Sequence, residues 1–367
     1  MKIGKRLCEK MADIMQKKDL EVRLQEEGFQ EKRKILIIGA LFLLLIVAAA
    51  LALTRGAYDI PFSEVYTTFF TRLNPVGDIS SLNNLYNVII WDIRFPRILL
   101  AMFVGIALAI SGGVFQGCFR NPLVEPYILG VSSGAAFGAS LGIVFPSFGL
   151  SVQIAAFLFG SLAVFGAYLL ARVRGETPII MLILAGVIIG SIFSALVSIL
   201  KYLAADTALR EIVFWLMGGF YYTNWDDVIL IVPVVLICFL IIWLMSWKLN
   251  ILSMGDEEAR ALGVNPEGYK AVFIIIATLV TAISVSAVGI IAWVGLMMPH
   301  AARMLLGPDH RFMLPAAAIM GGIYLIICDT LARTLTSSEI PIGILASIIG
   351  APYLMYLLRN KGKVSFG

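Results

Sequence analysis

Long uncharged runs constrain this chain more than any other feature of its sequence. Residues 35–54 contain no charged side chain. A run of about 20 apolar residues is long enough to cross the hydrocarbon core of a bilayer as one helix. Of the whole chain, 60 % is hydrophobic and only 14 % is charged, whereas about half of a soluble domain is apolar. The sequence therefore predicts a membrane protein.

Similar runs recur along the chain and predict an all-α, polytopic protein with about ten transmembrane helices. Several runs are short or interrupted by glycine and proline, as in transporters whose irregular backbone lines a cavity. We place the membrane domain at 35–358, between an N-terminal segment (1–34) and a short tail (359–367). The predicted spans are 35–54, 96–117, 127–145, 151–171, 178–203, 227–247, 268–289, 290–305, 313–335 and 341–358.

The N-terminal segment, residues 1–34, differs in composition from the rest of the chain. It holds ten Lys/Arg and seven Asp/Glu. These 34 mostly polar residues are too many to form the n-region of a secretory signal peptide, although 50–52 resembles a cleavage site. An amphipathic cytoplasmic helix lying on the membrane or on a partner is one prediction, and a solvated tail is the alternative. The helical prediction depends on the spacing of four apolar residues: Ile3, Leu7, Met11 and Ile14.

The distribution of Lys and Arg orients the chain in the membrane. If the spans alternate and the N-terminus is inside, 21 of the 28 Lys/Arg fall on the inner side and 7 on the outer side. Without the ten in residues 1–34 the split is still 11 to 7, since 21 − 10 = 11. Positive residues favour the cytoplasmic side. We therefore expect a multi-pass protein of the cell membrane with both termini in the cytoplasm.

Small residues recur at every fourth position in three of the predicted spans. Such stripes let helices approach closely in lipid, where no hydrophobic force drives helices together. They predict a tightly packed bundle. The stripes are Ala101, Gly105, Ala109, Gly113 and Gly117; Gly130, Gly134, Gly138 and Gly142; and Gly186, Gly190, Ser194 and Ser198.

Residues that carry catalytic or metal chemistry are scarce. The four cysteines show no CxxC spacing, and the chain has only two histidines, which argues against a disulfide framework and against a His-rich metal site. The pair Met297-Met298 is more typical of helix packing than of a soft-metal site. We find no carboxylate pair and no nucleophile with a base. The chain is predicted to be no enzyme, with no cofactor, metal or nucleic-acid partner.

One compact charged segment interrupts the apolar sequence at 254–265 (MGDEEARALGVN). Placing its four charges in the bilayer core costs roughly 3 kcal/mol each, so the segment is expected outside the hydrocarbon. Ser253 with Asp256 is similar to a capping box, and Gly263 followed by Pro266 ends the helix. The prediction is a cytoplasmic helix of two to three turns within about 253–264. A helix this short needs support from its own domain or from a partner.

The chain contains no nucleotide-binding loop. Residues 263–270 (GVNPEGYK) place Tyr269 between the second glycine and the lysine, whereas a P-loop needs lysine directly after that glycine and then Ser or Thr. If ATP drives this protein, the ATPase is a separate chain.

Several ordered motifs resemble the FecCD family, the permeases of ABC importers for vitamin B12, haem and iron-siderophores. The resemblance covers about 90–358, and residues 1–34 lie outside it. The motifs are Arg94-Phe-Pro-Arg97, 111–126 (SGGVFQGCFRNPLVEP), 129–135 (LGVSSGA), 255–264 (GDEEARALGV), 294–300 (VGLMMPH), 309–311 (DHR) and 339–352 (EIPIGILASIIGAP).

The resemblance implies a vitamin B12 importer permease-like fold with ten helices per subunit. It also implies a homodimer with a central pathway, two cytoplasmic ATPase subunits and an external substrate-binding protein. In the family the charged segment is the coupling helix, which fits a cleft of the ATPase, with Ala259 and Leu262 as buried contacts. The coupling residues implied here are Gly255, Asp256, Glu257, Glu258, Ala259, Arg260, Ala261, Leu262 and Gly263.

The resemblance assigns two further sites. Arg94, Arg97 and Arg333 match arginines that receive acidic residues of the binding protein; the alternative is that they anchor the span ends at the headgroups, with Arg333 paired to Asp329 in the same helix. The fifth span is placed at the dimer axis. Its stripe of small residues (Gly186, Gly190, Ser194 and Ser198) lines the pathway or packs inside one subunit.

The sequence leaves alternatives for the cargo and for the energy source of transport. The expected cargo is an iron chelate, either a siderophore or haem, and a corrinoid such as vitamin B12 is the alternative within the family. An ion-coupled secondary transporter is the alternative from another class, and it needs intramembrane acids. The sequence offers only Glu125 and Asp329 for that role.

Overall fold

The computed structural model describes the backbone of residues 2–56, 58–73, 84–173, 175–336 and 338–361, and the side chains of those from Gly28 onward except 73, 84, 357, 358, 360 and 361. These residues form helices joined by turns, with one isolated β-bridge between Val173 and Glu176. The α-helices are α1 (Lys2–Thr54), α2 (Phe62–Leu73), α3 (Asn84–Asn87), α4 (Phe95–Phe119), α5 (Val131–Val144), α6 (Val152–Ala171), α7 (Ile179–Leu203), α8 (Asp206–Met217), α9 (Trp225–Leu244), α10 (Ser246–Met254), α11 (Asp256–Ala261), α12 (Pro266–Val288), α13 (Val294–Leu306), α14 (His310–Thr334) and α15 (Ile342–Lys361).

Each of the ten predicted spans contains a helix, which confirms the all-α, polytopic prediction. In three of them the helix, or its apolar part, is shorter than a full crossing: α5, α13 and α15. Seven helical stretches in the described chain are long and apolar enough to cross a membrane: 28–54, 85–119, 152–171, 179–203, 225–244, 266–288 and 310–334.

The N-terminal segment and the first span form one helix. The predicted boundary at residue 34 falls inside α1, which runs for 53 residues. Its middle contacts the start of α14, because Lys34 Nζ lies 5.1 Å from the ring centroid of Phe312 and Glu31 Oε1 lies 3.9 Å from Arg311 Nη2. The apolar face predicted for residues 3–14 lies outside the described side chains. Residues 362–367 of the predicted tail also lie outside the described residues.

The second span begins earlier than the hydrophobic pattern predicts. Helix starts at Asn84, and a π-helical turn, Val88–Arg94, leads directly into α4. Aromatic packing stabilises this extension: the ring of Phe95 lies 5.2 Å from that of Trp91 and 5.6 Å from that of Trp225. The π-helical turn carries Arg94, one of the predicted docking residues, at its last position.

Helix α4 is the most deeply buried of the long helices, and it packs against α12, α13 and α14. Its small residues make backbone contacts possible. A Cβ atom added at Gly105 lies 2.2 Å from the carbonyl oxygen of Gly321 in α14, and one added at Gly113 lies 2.8 Å from Cδ2 of Leu314 in the same helix. The stripe on α4 is thus used for close helix packing, as the sequence predicts.

Candidate functional site

The charged segment forms the short helix α11, as predicted, but with six residues it is shorter than the predicted two to three turns, and it begins differently. Ser253 is not its cap, because α10 continues through Met254 and the Ser253 hydroxyl donates to the carbonyl of Asn250. Helix α10 ends instead at Gly255. That residue has φ 150°, and a Cβ there meets the carboxylate of Glu258.

The end of α11 follows the prediction. Gly263 adopts a left-handed conformation with φ 75°, and the amide of Val264 donates to the carbonyl of Ala259 at 2.9 Å. These are the features of a Schellman cap. Asn265 then accepts a hydrogen bond from the amide of Gly268 and caps α12, whose first residue is Pro266. The chain therefore turns at Gly255 before the six helical residues of α11 and at Gly263 after them.

The side chains of α11 divide into an inner and an outer set. Ala259 is fully buried in its own subunit, and Asp256 points towards Lys270, with 2.6 Å between Nζ and Oδ2. The outer set is exposed and combines charge with apolar surface: Glu257, Glu258, Arg260, Ala261 and Leu262. Of the predicted ATPase contacts, Leu262 is therefore available at the surface and Ala259 is not.

The three predicted outer arginines come together in one buried cluster. Arg97 lies between two carboxylates, since its Nε is 2.7 Å from Asp329 Oδ1 and its Nη1 is 2.9 Å from Glu339 Oε2. Arg333 shares Asp329 through an Nε–Oδ2 contact of 3.0 Å, which is the i,i+4 pair that the sequence predicts. Arg94 donates to the carbonyls of Leu53 and Tyr58 instead.

The arginines of this cluster are buried, whereas a docking site for another protein is expected to have exposed side chains. The side chains of Arg97, Arg333 and Asp329 are 7 %, 6 % and 1 % exposed, whereas Glu339 is 37 % exposed. The sequence analysis did not predict that Arg97 contacts Asp329 and Glu339. The contacts join residues more than 200 positions apart, and no local pattern signals them.

Two donors of the cluster are unused within the described chain. Arg97 Nη2 and the hydroxyl of Tyr221 are buried without a hydrogen-bond partner. Burial raises the pKa of Tyr221 to about 12, and nearby Glu339 acts in the same direction. The hydroxyl therefore stays protonated at neutral pH and can donate. With three arginines against two carboxylates, the cluster can accept a further carboxylate.

The stripe on α7 is divided between packing and exposure. A Cβ at Gly186 lies 2.3 Å from the carbonyl oxygen of Ile128, and Gly190 lies against Gly130. Ser194 hydrogen-bonds to Ser133 at 3.3 Å but remains exposed, as does Ser198. The first two residues thus pack on the turn before α5, and the last two face outward from the subunit.

Four further residues are candidates from sequence for a metal or ion site: Met297, Met298, Asp329 and Glu125. Met297 and Met298 are buried in α13, and no group of three or more His, Cys, Asp or Glu that could hold a metal occurs in the described residues. Asp329 is held by two arginines, so it is not a free intramembrane acid. Burial raises the pKa of Glu125, in the turn between α4 and α5, while the amide of Trp293 lowers it by donating a hydrogen bond.

Comparison with known proteins decides between the transporter classes. The family model described as the FecCD transport family matches residues 43–360. The chain belongs to the FecCD transport family. It is therefore a multi-pass membrane permease of an ABC importer, which confirms the resemblance of its motifs and excludes the ion-coupled alternative.

Relatives of this FecCD permease are transport subunits with different cargoes in their names. The molybdate import system permease protein MolB of Haemophilus influenzae is 39 % identical over 332 residues, which cover 89 % of this chain and 97 % of MolB. The cobalamin import system permease protein BtuC of Halobacterium salinarum is 43 % identical over 75 % of this chain and 74 % of BtuC. The hemin transport system permease protein HmuU of Yersinia pestis is 37 % identical over 89 % of this chain and 96 % of HmuU.

A solved structure supports the same fold. An inward-facing conformation of a putative metal-chelate type ABC transporter superposes with a TM-score of 0.77 at 39 % identity, covering 88 % of this FecCD permease and 98 % of that chain. The family and the fold are thus shown, while the relatives are named for cargoes that range from an oxyanion to a tetrapyrrole.

Proposed function

We propose that this FecCD permease imports an iron chelate, either a siderophore or haem, that an external binding protein delivers. The supporting observation is the similarity to HmuU, which covers nearly the whole of both chains, together with relatives named for iron chelatin and Fe(3+)-citrate. The permease works as a homodimer with two cytoplasmic ATPase subunits, and both termini face the cytoplasm. The charged segment from Gly255 to Gly263, which contains α11, is the part that contacts the ATPase.

Two further cargoes have specific support. A corrinoid is favoured by the 43 % identity to BtuC, and molybdate by the 39 % identity to MolB over most of both chains. The three cargo classes differ in size and charge, so one experiment separates them.

The test is uptake of labelled compounds by cells that lack their own importers and express the permease with its ATPase and binding protein. We expect uptake of a ferric siderophore or haem, dependent on ATP hydrolysis, and none of molybdate or cyanocobalamin. Uptake of molybdate alone, or of cyanocobalamin alone, would assign the cargo to that class. A variant of the ATPase that cannot hydrolyse ATP is the matched control.

Docking of the binding protein is proposed at the outer arginine cluster of Arg94, Arg97 and Arg333. Arginine binds a carboxylate with two parallel hydrogen bonds, and the excess of one positive charge favours an acidic partner. Because Glu339 contacts Arg97 and is the most exposed acid of the cluster, we propose that a carboxylate of the binding protein replaces it there.

A further inference from the structure

Asp256, the first residue of α11, faces its own subunit. Its Oδ2 atom lies 2.6 Å from Nζ of Lys270 in α12, and Lys270 also lies 3.6 Å from a carboxylate oxygen of Glu267. The Lys270 side chain is only 6 % exposed. A buried ammonium group is stable only when it is paired. This ion pair therefore ties the first turn of α11 firmly to the first turns of α12.

The other oxygen of Asp256 faces the end of α4. Oδ1 is buried and has no hydrogen-bond partner among the described residues, and Nη2 of Arg120 lies 4.0 Å away. Arg120 is held in a left-handed conformation with φ 53° as the C-cap of α4. A movement of about 1 Å closes this contact to hydrogen-bond distance. Asp256 thus stands between the ends of α12 and α4.

Those two helices also contact each other inside the membrane domain. The hydroxyl of Ser111 in α4 lies 2.7 Å from that of Thr281 in α12 and donates to the carbonyl of Ala277 at 3.1 Å. All three residues belong to the inner parts of the helices and are buried. A force applied at the ends of α4 and α12 therefore reaches the centre of the bundle through direct contacts.

A second link from α11 is weaker. Arg260 Nη2 lies 2.8 Å from Glu176 Oε1 in the connection between α6 and α7, but these side chains are 50 % and 62 % exposed. Exposed ion pairs contribute little, because water screens them and both long side chains must be ordered. The buried contact of Asp256 and the exposed contact of Arg260 therefore form a natural comparison within one short helix.

We infer that Asp256 is a positioning residue that transmits the movement of the coupling helix to α12 and α4, and that it is not itself an ATPase contact. The inference depends on the proposed function, in which the exposed residues of α11 bind the ATPase. The distinction is between binding the ATPase, which the outer side chains perform, and transferring its motion, which needs the buried ion pair.

The experiment measures cargo transported per ATP hydrolysed in proteoliposomes that contain the full importer. We expect the D256N variant to copurify with the ATPase and to transport about tenfold less cargo per ATP. A factor of this size is typical of the coupling between two sites in a protein. D256E keeps the carboxylate and should retain most of the wild-type transport per ATP. E176Q, which removes the exposed contact of the same helix, is the matched control and should match the wild type.

A double variant guards against simple misfolding. D256N leaves the Lys270 ammonium without its nearest partner, whereas D256N/K270Q removes both charges, so its melting temperature should recover. If the pair transmits motion, transport per ATP stays low in the double variant although its stability is restored. Recovery of transport together with stability would overturn the inference, as would wild-type transport per ATP in D256N.

Failure of the underlying function gives a different result. Loss of ATPase copurification in D256N would make Asp256 a contact and would overturn the inference alone. Replacing Leu262, which is 58 % exposed, by Ala should weaken copurification, whereas the same change at Leu305, exposed at the end of α13, should not. If L262A binds the ATPase as well as L305A does, α11 is not the contact, and both proposals fail.

Discussion

At the scale of single residues, Asp329 is the carboxylate that holds two buried arginines. It accepts hydrogen bonds from Nε of Arg97 at 2.7 Å and from Nε of Arg333 at 3.0 Å. Removing one partner of a buried ion pair leaves an uncompensated charge. We expect Asp329→Asn to lower the free energy of unfolding by about 3–5 kcal/mol, seen as a large fall in the melting temperature of the detergent-solubilised protein. Glu339→Gln is the control, and an equal fall there would contradict this account.

Glu339 has a different expected role at the same scale. It contacts Arg97 from a half-exposed position, so it competes with any carboxylate that a binding protein brings to this arginine. Because water reaches Glu339, its pair with Arg97 is worth only about 1 kcal/mol, and Glu339→Gln should raise the affinity for the binding protein by about fivefold. Titration of the binding protein onto the permease in nanodiscs measures this. Glu211→Gln, an exposed acid on α8, should change nothing, and an unchanged affinity in Glu339→Gln would contradict the exchange.

At the scale of elements, local signals predicted what local chemistry decides. The uncharged runs gave the spans, and Gly263 with Pro266 gave the end of α11, because each depends on a few neighbouring residues. The start of α11 was missed, since helix α10 fits the same residues as well as a cap at Ser253 does. The π-helical turn before α4 was missed because aromatic contacts with Trp225 stabilise it, and these join distant parts of the chain. The same reason hides the contact of Arg97 with Asp329.

Close packing of α4 on α14 gives a sharp prediction for glycine. A Cβ at Gly105 overlaps the backbone of Gly321, which cannot move aside as a side chain can. We expect Gly105→Ala to force the helices apart and to cost about 1–3 kcal/mol. At Gly166 in α6 the nearest atom to an added Cβ is 3.7 Å away, so Gly166→Ala should be neutral or slightly stabilising, since alanine favours helix. Thermal unfolding of both variants checks this, and similar melting temperatures would contradict it.

At the scale of the whole molecule, one subunit leaves much of α7 uncovered. Val187, Ile192 and Ile199 are each more than half exposed, and the hydroxyls of Ser194 and Ser198 also lie on the outside of the subunit. Serine side chains in contact with lipid gain nothing there, whereas a second subunit or a water-filled pathway can solvate them. We therefore propose that the axis of a homodimer lies at the half of α7 that follows Gly190.

Cysteine substitutions test this placement directly. In a background whose four native cysteines are replaced, cysteine at position 194 or 198 should cross-link between subunits or react with a water-soluble thiol reagent, and the extent should change with the nucleotide bound to the ATPase. Cysteine at position 190 should stay unreactive, because Gly190 packs on Gly130. Phe165→Cys on α6, which is 59 % exposed, provides the lipid-facing control and should neither cross-link nor respond to nucleotide. If positions 194 and 198 behave as position 165 does, α7 faces lipid along this half, and the dimer axis lies at another helix.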